Sequence, residues 1–231
     1  MFQFKQFTIH QDRTPMKVGT DGVLLGAWAP VEQAQRILDI GTGTGLLALM
    51  AAQRNPSAHI DALEIEDNAY QQASENIKLS PWSERISIFH CALQTYSSTH
   101  KYDCILCNPP FFNQSTKAPN QGRTLARHND SLPLSDLITY AQNLLTPGGV
   151  LCVILPIIEA QEFITLGAPH HLYPHHITQV CPTPAKPPKR TLIQMAFQAT
   201  EPLKDELVIE LERHRYTPAY THLTKAFYLK L

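Results

Sequence analysis

Long apolar runs are missing from this chain of 231 residues. None approaches the roughly 20 residues that a helix needs to cross a bilayer, so we expect no membrane-spanning helix. The first residues, Met1 to Gln6, also lack the charged and apolar segments of an export signal. We therefore expect a cytoplasmic protein.

Cysteine is scarce, and its five residues have no disulfide spacing. Cys104 and Cys107 form a C-x-x-C pair, which raises the possibility of a redox or zinc site. They fall in the apolar segment 102–107, which is typical of a buried strand. Residues three apart on a strand point to opposite faces, so we interpret both as core thiols. Four histidines, at 170, 171, 175 and 176, have no partner carboxylate or cysteine spacing, so we predict no metal site.

An excess of positive charge is also absent, because the net charge is −1. Whole-chain charge therefore gives no support to a nucleic-acid partner. Its distribution is uneven, however, since residues 112–129 and 163–200 contain no acid. Their cations include Arg123, Arg127, His128, Lys186, Lys189 and Arg190. Either these segments form a basic face for phosphates, or they are scattered over the surface.

Apolar segments alternate with helical ones from residue 36 onward. The patterns predict strands at 36–40, 59–65, 86–90, 102–107 and 150–155, and helices at 45–54, 67–79 and 134–145. Continuous apolar strands separated by helices indicate a parallel sheet covered on both faces, hence a doubly wound α/β fold. Segments 177–180 and 192–199, joined by a proline-rich loop, predict an antiparallel pair at the sheet edge. We expect one domain, 1–231, with an N-terminal extension (1–30) of a short strand or hairpin and a helix, and a C-terminal substrate-side segment (201–231).

A glycine motif follows the first predicted strand. Gly41, Gly43 and Gly45 allow a sharp turn and close approach of a ligand, and Asp39 precedes them. A dinucleotide site favours G-x-G-x-x-G, so the G-x-G-x-G spacing disfavours a nicotinamide oxidoreductase. The motif resembles the first motif of class I methyltransferases, which implies S-adenosylmethionine as cofactor.

Acidic residues follow the second predicted strand. Glu64 is placed to accept hydrogen bonds from both ribose hydroxyls of a cofactor. Glu66 and Asp67 compete for this role, but Asp67 is more simply a helix N-cap. Methyltransferases of this type usually carry an aspartate after the third strand, where this chain has Ala92. Backbone groups or Gln94 are possible substitutes.

The segment 107–112 ends the fourth parallel strand with Asn108-Pro109-Pro110-Phe111. The Asn108 side-chain oxygen and the Pro109 carbonyl can each accept one N–H of an exocyclic amine. That arrangement aims the nitrogen lone pair at a methyl donor, and the two prolines hold the backbone in place. Phe111 can stack on a base taken out of its helix.

These residues together resemble the bacterial tRNA(Val) adenine-N6 methyltransferases. The resemblance includes residues 17–21, the two motifs above, Ala126-Arg127-His128, Lys189-Arg190 and the tail from Tyr216 to Lys230. It implies a Rossmann-like class I fold with a mostly parallel seven-stranded sheet and an antiparallel edge strand. It also implies tRNA as partner, residues 113–131 as an RNA-facing lid, and Lys17, Thr20 and Asp21 near the methionine end of the cofactor. Helix capping is the alternative for Thr20 and Asp21.

Two further hypotheses stay open at this stage. One keeps the chemistry but makes the acceptor a protein glutamine or guanine N2 of rRNA, since N-P-P motifs also serve those amines. The other is a non-catalytic RNA-binding or partner subunit, for which Ala92 is the only support.

Overall fold

The first thirty residues form a hairpin and a helix, as predicted. The structure is a computed structural model that describes residues 1–14, 16–110 and 132–230. Strands β1 (Phe2–Gln3) and β2 (Thr8–Ile9) pair antiparallel, and helix α1 (Thr20–Trp28) follows. The hairpin is tied to the C-terminal region, because the Lys5 N–H donates to the Phe227 carbonyl at 2.8 Å.

The predicted alternation of strands and helices follows. In chain order the elements are β3 (Arg36–Ile40), α2 (Leu46–Arg54), β4 (His59–Glu64), α3 (Asp67–Lys78), β5 (Ile86–His90), β6 (Tyr102–Cys107), α4 (Leu134–Leu144), β7 (Leu145–Leu155) and α5 (Ile157–Gly167). Strand β7 begins five residues before the predicted strand at Val150. Helix α5 was not predicted.

Three more strands complete the sheet: β8 (Tyr173–Cys181), β9 (Arg190–Ala196) and β10 (Leu203–Val208). The described strands form an eight-stranded sheet in the order β10-β8-β9-β7-β6-β3-β4-β5. The mostly parallel α/β fold is thereby confirmed. Two details differ from the prediction. The sheet has an eighth strand, β10, and the antiparallel strand β9 lies inside the sheet because β8 and the parallel-paired β10 continue beyond it.

The strand directions bring distant loops to one edge of the sheet. Because β9 runs antiparallel to both β7 and β8, its first residue, Arg190, lies at the edge where β7 and β8 end. Strands β3 and β6 end at the same edge. Cys107, the last residue of β6, pairs with Ile40, the last residue of β3, and with Val153 near the end of β7. The loop 182–189 therefore lies at the same edge as the residues that follow β3 and β6.

The sheet separates two buried apolar clusters. Cys104 belongs to one cluster, with α1 and α2, and Cys107 belongs to the other, with α4 and α5. All five cysteines are free. The prediction that Cys104 and Cys107 point to opposite faces is thus confirmed.

A small C-terminal unit packs beside the sheet. It consists of β11 (Glu210–Glu212), β12 (Arg215–Tyr216) and α6 (Pro218–Thr224). The Ile209 N–H donates to the Cys181 carbonyl at 2.9 Å, which joins this unit to the end of β8. Within the described residues no helix is long and apolar enough to cross a membrane.

Candidate active site

The glycine loop joins β3 to α2 through three residues with left-handed backbone. Gly41, Gly43 and Gly45 have φ of 70°, 60° and 84°, which L side chains rarely adopt. A Cβ at Gly41 or Gly43 would meet no atom of the described residues within 4 Å. The backbone is therefore accessible to a ligand at these two positions, as the motif predicts.

Glu64, the last residue of β4, holds this loop in place. Its carboxylate accepts hydrogen bonds from the Gly43 N–H at 2.8 Å and from the N–H groups of Ile65 and Glu66 at 2.8 and 2.9 Å. The residue is buried at 8% exposure. The structure therefore brings Glu64 and the glycine loop together, with the carboxylate fixed before any ligand arrives.

The helix-capping prediction for Asp67 is wrong by one residue. Glu66 is the N-cap of α3, and its carboxylate accepts from the Ala69 N–H at 2.7 Å. Asp67 is already the first helical residue. A longer side chain serves as the cap because the extended backbone at Glu66 turns its carboxylate toward the open end of the helix.

Asp39 is a fully buried carboxyl beneath the glycine loop. One oxygen, Oδ2, accepts from the Thr42 hydroxyl at 2.5 Å and from the Ala48 N–H at 3.1 Å. The other, Oδ1, has no hydrogen-bond partner among the residues that the structure describes. Burial raises the pKa of Asp39 to about 7, opposed by these two hydrogen bonds. The role of Thr42 was not predicted, although a hydroxyl three residues after a buried aspartate is a recognisable signal.

Asn108 is the first residue after β6, and its neighbour across the sheet is the glycine loop. Ile40 and Cys107 are paired in register, so Gly41 and Asn108 leave adjacent parallel strands at the same level. Adjacent strands lie about 4.8 Å apart. Pro109 is buried and Pro110 is exposed. Phe111 lies outside the described residues, as do Arg123, Arg127, His128 and the predicted lid 113–131.

Helix α1 brings the N-terminal candidates to the same place. A Cβ on Gly22 would lie 3.8 Å from the side-chain amide nitrogen of Asn108. Gly19, and neither Thr20 nor Asp21, is the N-cap of α1, so the capping alternative is wrong. Lys17 donates from Nζ to the carbonyls of Gln11 and Thr14, the latter at 2.9 Å, and so organises the segment before the helix.

Three of the basic residues predicted to contact RNA, namely Lys186, Lys189 and Arg190, lie at this edge of the sheet. Lys186 and Lys189 are exposed on the loop between β8 and β9. Arg190 pairs with Asp21, with Nε 2.7 Å from Oδ2. Thr20, Asp21, Lys189 and Arg190 also line one cavity, together with Leu24, Val180, Pro182 and Ile209. The structure thus joins residues that the sequence had assigned to separate cofactor and RNA sites.

Ala92 follows β5, and Gln94 lies in the short 3₁₀ turn after it. The Gln94 side chain donates from Nε2 to Asp136 Oδ2 of α4 at 2.8 Å. Its amide group is therefore already engaged by another element of the fold. Within the described residues no group of three or more His, Cys, Asp or Glu is placed to hold a metal ion.

Comparison with known proteins identifies the family. Residues 19–163 match the methyltransferase small domain model. The chain is 48% identical to the tRNA1(Val) (adenine(37)-N6)-methyltransferase of Flavobacterium psychrophilum over 100% of both chains. It is 49% identical to the protein of the same name from Bacteroides fragilis, over 100% of this chain and 98% of the relative. This chain belongs to that methyltransferase family.

Solved structures agree on the fold of this methyltransferase. A predicted O-methyltransferase from Agrobacterium tumefaciens superposes with a TM-score of 0.68 at 20% identity, covering 90% of this chain and 96% of its own. A ribosomal protein L11 methylase from Lactobacillus delbrueckii gives 0.55 at 18% identity, covering 77% of each chain. At these identities the likeness shows the Rossmann-like class I methyltransferase fold alone.

Proposed function

We propose that this methyltransferase transfers a methyl group from S-adenosylmethionine to the N6 amino group of adenine 37 in tRNA1(Val). The observation that carries the proposal is the register of β3 and β6, which sets Asn108 beside the glycine loop. The names of relatives at 48 and 49% identity support the substrate.

The residues at the loop fit this cofactor. S-adenosylmethionine carries positive charge on its sulfonium and amino groups, and supplies the methyl group to be transferred. The carboxylate of Glu64 provides negative charge at the glycine loop, and the buried Asp39, whose Oδ1 has no partner among the described residues, lies beneath it. We assign cofactor binding to Asp39, Gly41, Gly43, Gly45 and Glu64, with Asn108 at the border to the substrate. Lys17, Thr20 and Asp21 are assigned to the methionine end because α1 begins beside Asn108.

Asn108 and Pro109 orient the amino group. The lone pair of an adenine N6 is delocalised into the ring, so the amine is a poor nucleophile. Oxygen acceptors on Asn108 and Pro109 hold its two N–H groups and aim the lone pair at the methyl carbon. Pro110 restricts the backbone that carries both acceptors. Phe111 is assigned as the residue that stacks on the adenine base. Transfer is an in-line displacement that needs no covalent enzyme intermediate.

RNA binding is assigned to the edge of the sheet that carries Asn108. Lys186, Lys189 and Arg190 begin the basic surface there, and Arg123, Arg127 and His128 belong to the neighbouring segment of the sequence. Strand β10 is parallel to β8 and so ends at this edge as well. This direction supports the assignment of 201–231 to the substrate side of a single domain.

The test is transfer of labelled methyl groups to purified tRNA1(Val), followed by nucleoside mass spectrometry. N6-methyladenosine should form with wild-type protein, and a transcript with guanosine at position 37 should stay unlabelled. Asn108→Ala should lower kcat by about 100-fold or more, because a fixed acceptor of the reacting group is lost. Cofactor affinity measured by calorimetry should stay within a few fold, which verifies that the variant is folded.

Three outcomes would reject the proposal. Label in bulk protein but not in RNA would indicate a protein glutamine as acceptor. Label in guanosine of rRNA would indicate guanine N2. Absence of cofactor binding by the wild-type protein would indicate a non-catalytic subunit.

A further inference from the structure

The first turn of α1 lies close to three other parts of the molecule, namely the start of β9, the start of α2 and Asn108. Asp21 accepts a hydrogen bond from Arg190, the first residue of β9, at 2.7 Å. The next residue, Gly22, is buried close to Leu46 and Asn108. A Cβ on Gly22 would lie 2.9 Å from Leu46 Cδ2 and 3.8 Å from the Asn108 amide nitrogen. Leu46 is the first residue of α2, directly after the glycine loop. The start of α1 thus lies close to both Asn108 and the residue that directly follows the glycine loop.

The partner of Asp21 is held by the sheet. Arg190 pairs with Val180 in β8, and its neighbour Thr191 pairs with Leu155 in β7. The two side chains of the ion pair are 34% and 29% exposed. Ion pairs with such exposure contribute little to the free energy of unfolding. The effect expected of this pair is therefore to fix the position of the first turn of α1 relative to β9.

We propose that the Asp21–Arg190 ion pair is a positioning device for methyl transfer. It fixes the first turn of α1 to the rigid start of β9, and α1 in turn fixes the Asn108 side chain and the start of α2. Arg190 thereby acts on the reaction through Asp21, beyond any contact with RNA phosphates. This inference rests on the proposed function, because the group positioned is the acceptor of the adenine amine.

Four variants test the device: Asp21→Asn, Arg190→Gln, the double variant, and the charge exchange Asp21→Arg with Arg190→Asp. We expect kcat to fall about tenfold in each single variant, which corresponds to about 1.4 kcal/mol. The double variant should be no slower than the singles, since both remove the same interaction. The charge exchange should restore part of kcat. Asp21→Asn should leave the KM for tRNA unchanged, because it retains Arg190.

Hydrogen exchange of the cofactor-free protein gives a readout that is independent of tRNA. Residues 19–25 should exchange faster in every variant except the charge exchange. Glu32→Gln is the matched control. It breaks the ion pair between Glu32 Oε1 and Arg54 Nη2, which lie 2.5 Å apart at the opposite edge of the sheet. It should alter neither kcat nor exchange at 19–25.

The proposal is overturned if Asp21→Asn keeps wild-type kcat and exchange, or if the losses in the double variant are additive. A lower KM for tRNA in Asp21→Asn would show that Arg190 serves the RNA and that Asp21 merely competes for it. If wild-type protein methylates no tRNA, the proposed function fails, and exchange at 19–25 still decides whether the pair holds α1.

Discussion

At the scale of single residues, burial in the folded protein disfavours the ionised form of Asp39. Its side chain is fully buried, one oxygen has no partner among the described residues, and the pKa is raised to about 7. A carboxyl with a raised pKa in the folded state holds its proton more tightly there than in the unfolded chain. Its contribution to stability is therefore full below about pH 4 and is lost as the pH rises toward about 7. A buried carboxyl with a raised pKa is typical of a functional site.

The cofactor-free protein should consequently become less stable between about pH 4 and 7, and Asp39→Asn should lack that part of the decline. The difference between the two proteins is at most on the order of 4 kcal/mol, because the pKa of Asp39 rises from about 4 in the unfolded chain to about 7. Urea unfolding at intervals between pH 4.5 and 8 measures it. The asparagine oxygen can still accept from Thr42 and Ala48, and the pH-dependent part of the difference reports the charge of the carboxyl. Parallel pH profiles would show that Asp39 is not the group responsible.

At the scale of elements, sequence patterns predicted the central strands and missed a charged edge strand. Strands β3 and β6 were predicted with their observed bounds, because continuous apolar runs mark the interior of a parallel sheet. The bounds of β5 were also predicted, although β5 is an edge strand in which only Ile86 is buried. Strand β10 was missed because Lys204, Asp205 and Glu206 occupy its middle. Such charges are common on edge strands, where they oppose pairing with another chain.

Helix α5 was missed for a different reason. It begins directly after Pro156 and β7, without a side-chain cap, so the apolar run continues across the boundary. In the site, the glycine loop and Asn108 follow from motifs. The ion pair of Asp21 with Arg190 does not, because 169 residues separate the partners and only the sheet topology brings them together.

The turn after β5 carries Ala92 where the resemblance to class I methyltransferases predicts an aspartate. The side chain of Gln94, two residues on, is already bonded to Asp136. Ala92→Asp should tighten S-adenosylmethionine binding about fivefold, since one added hydrogen bond is worth about 1 kcal/mol. Calorimetry checks this value, with Ala92→Leu as the control that adds size without a hydrogen-bond acceptor. Equal or weaker binding by Ala92→Asp would show that this turn does not face the adenine.

At the scale of the whole molecule, exposed lysines lie at both of the edges where strands begin and end, although the net charge is only −1. Lys186 and Lys189 reach the edge of Asn108 because β9 is antiparallel to its neighbours. Lys78, by contrast, ends α3 at the opposite edge, before β5 begins. An RNA that presents its adenine to Asn108 therefore brings its phosphates close to Lys186 and Lys189 and leaves Lys78 without a phosphate contact.

Salt dependence of tRNA binding tests this arrangement. Each phosphate contact that is lost reduces the slope of log K against log salt by roughly one. Lys186→Ala with Lys189→Ala should therefore lower the slope by about two and weaken binding to all RNA sequences alike. Lys78→Ala, equally exposed in the free protein, should leave the slope unchanged. An equal loss of slope in Lys78→Ala would contradict an approach of the RNA from the edge of Asn108.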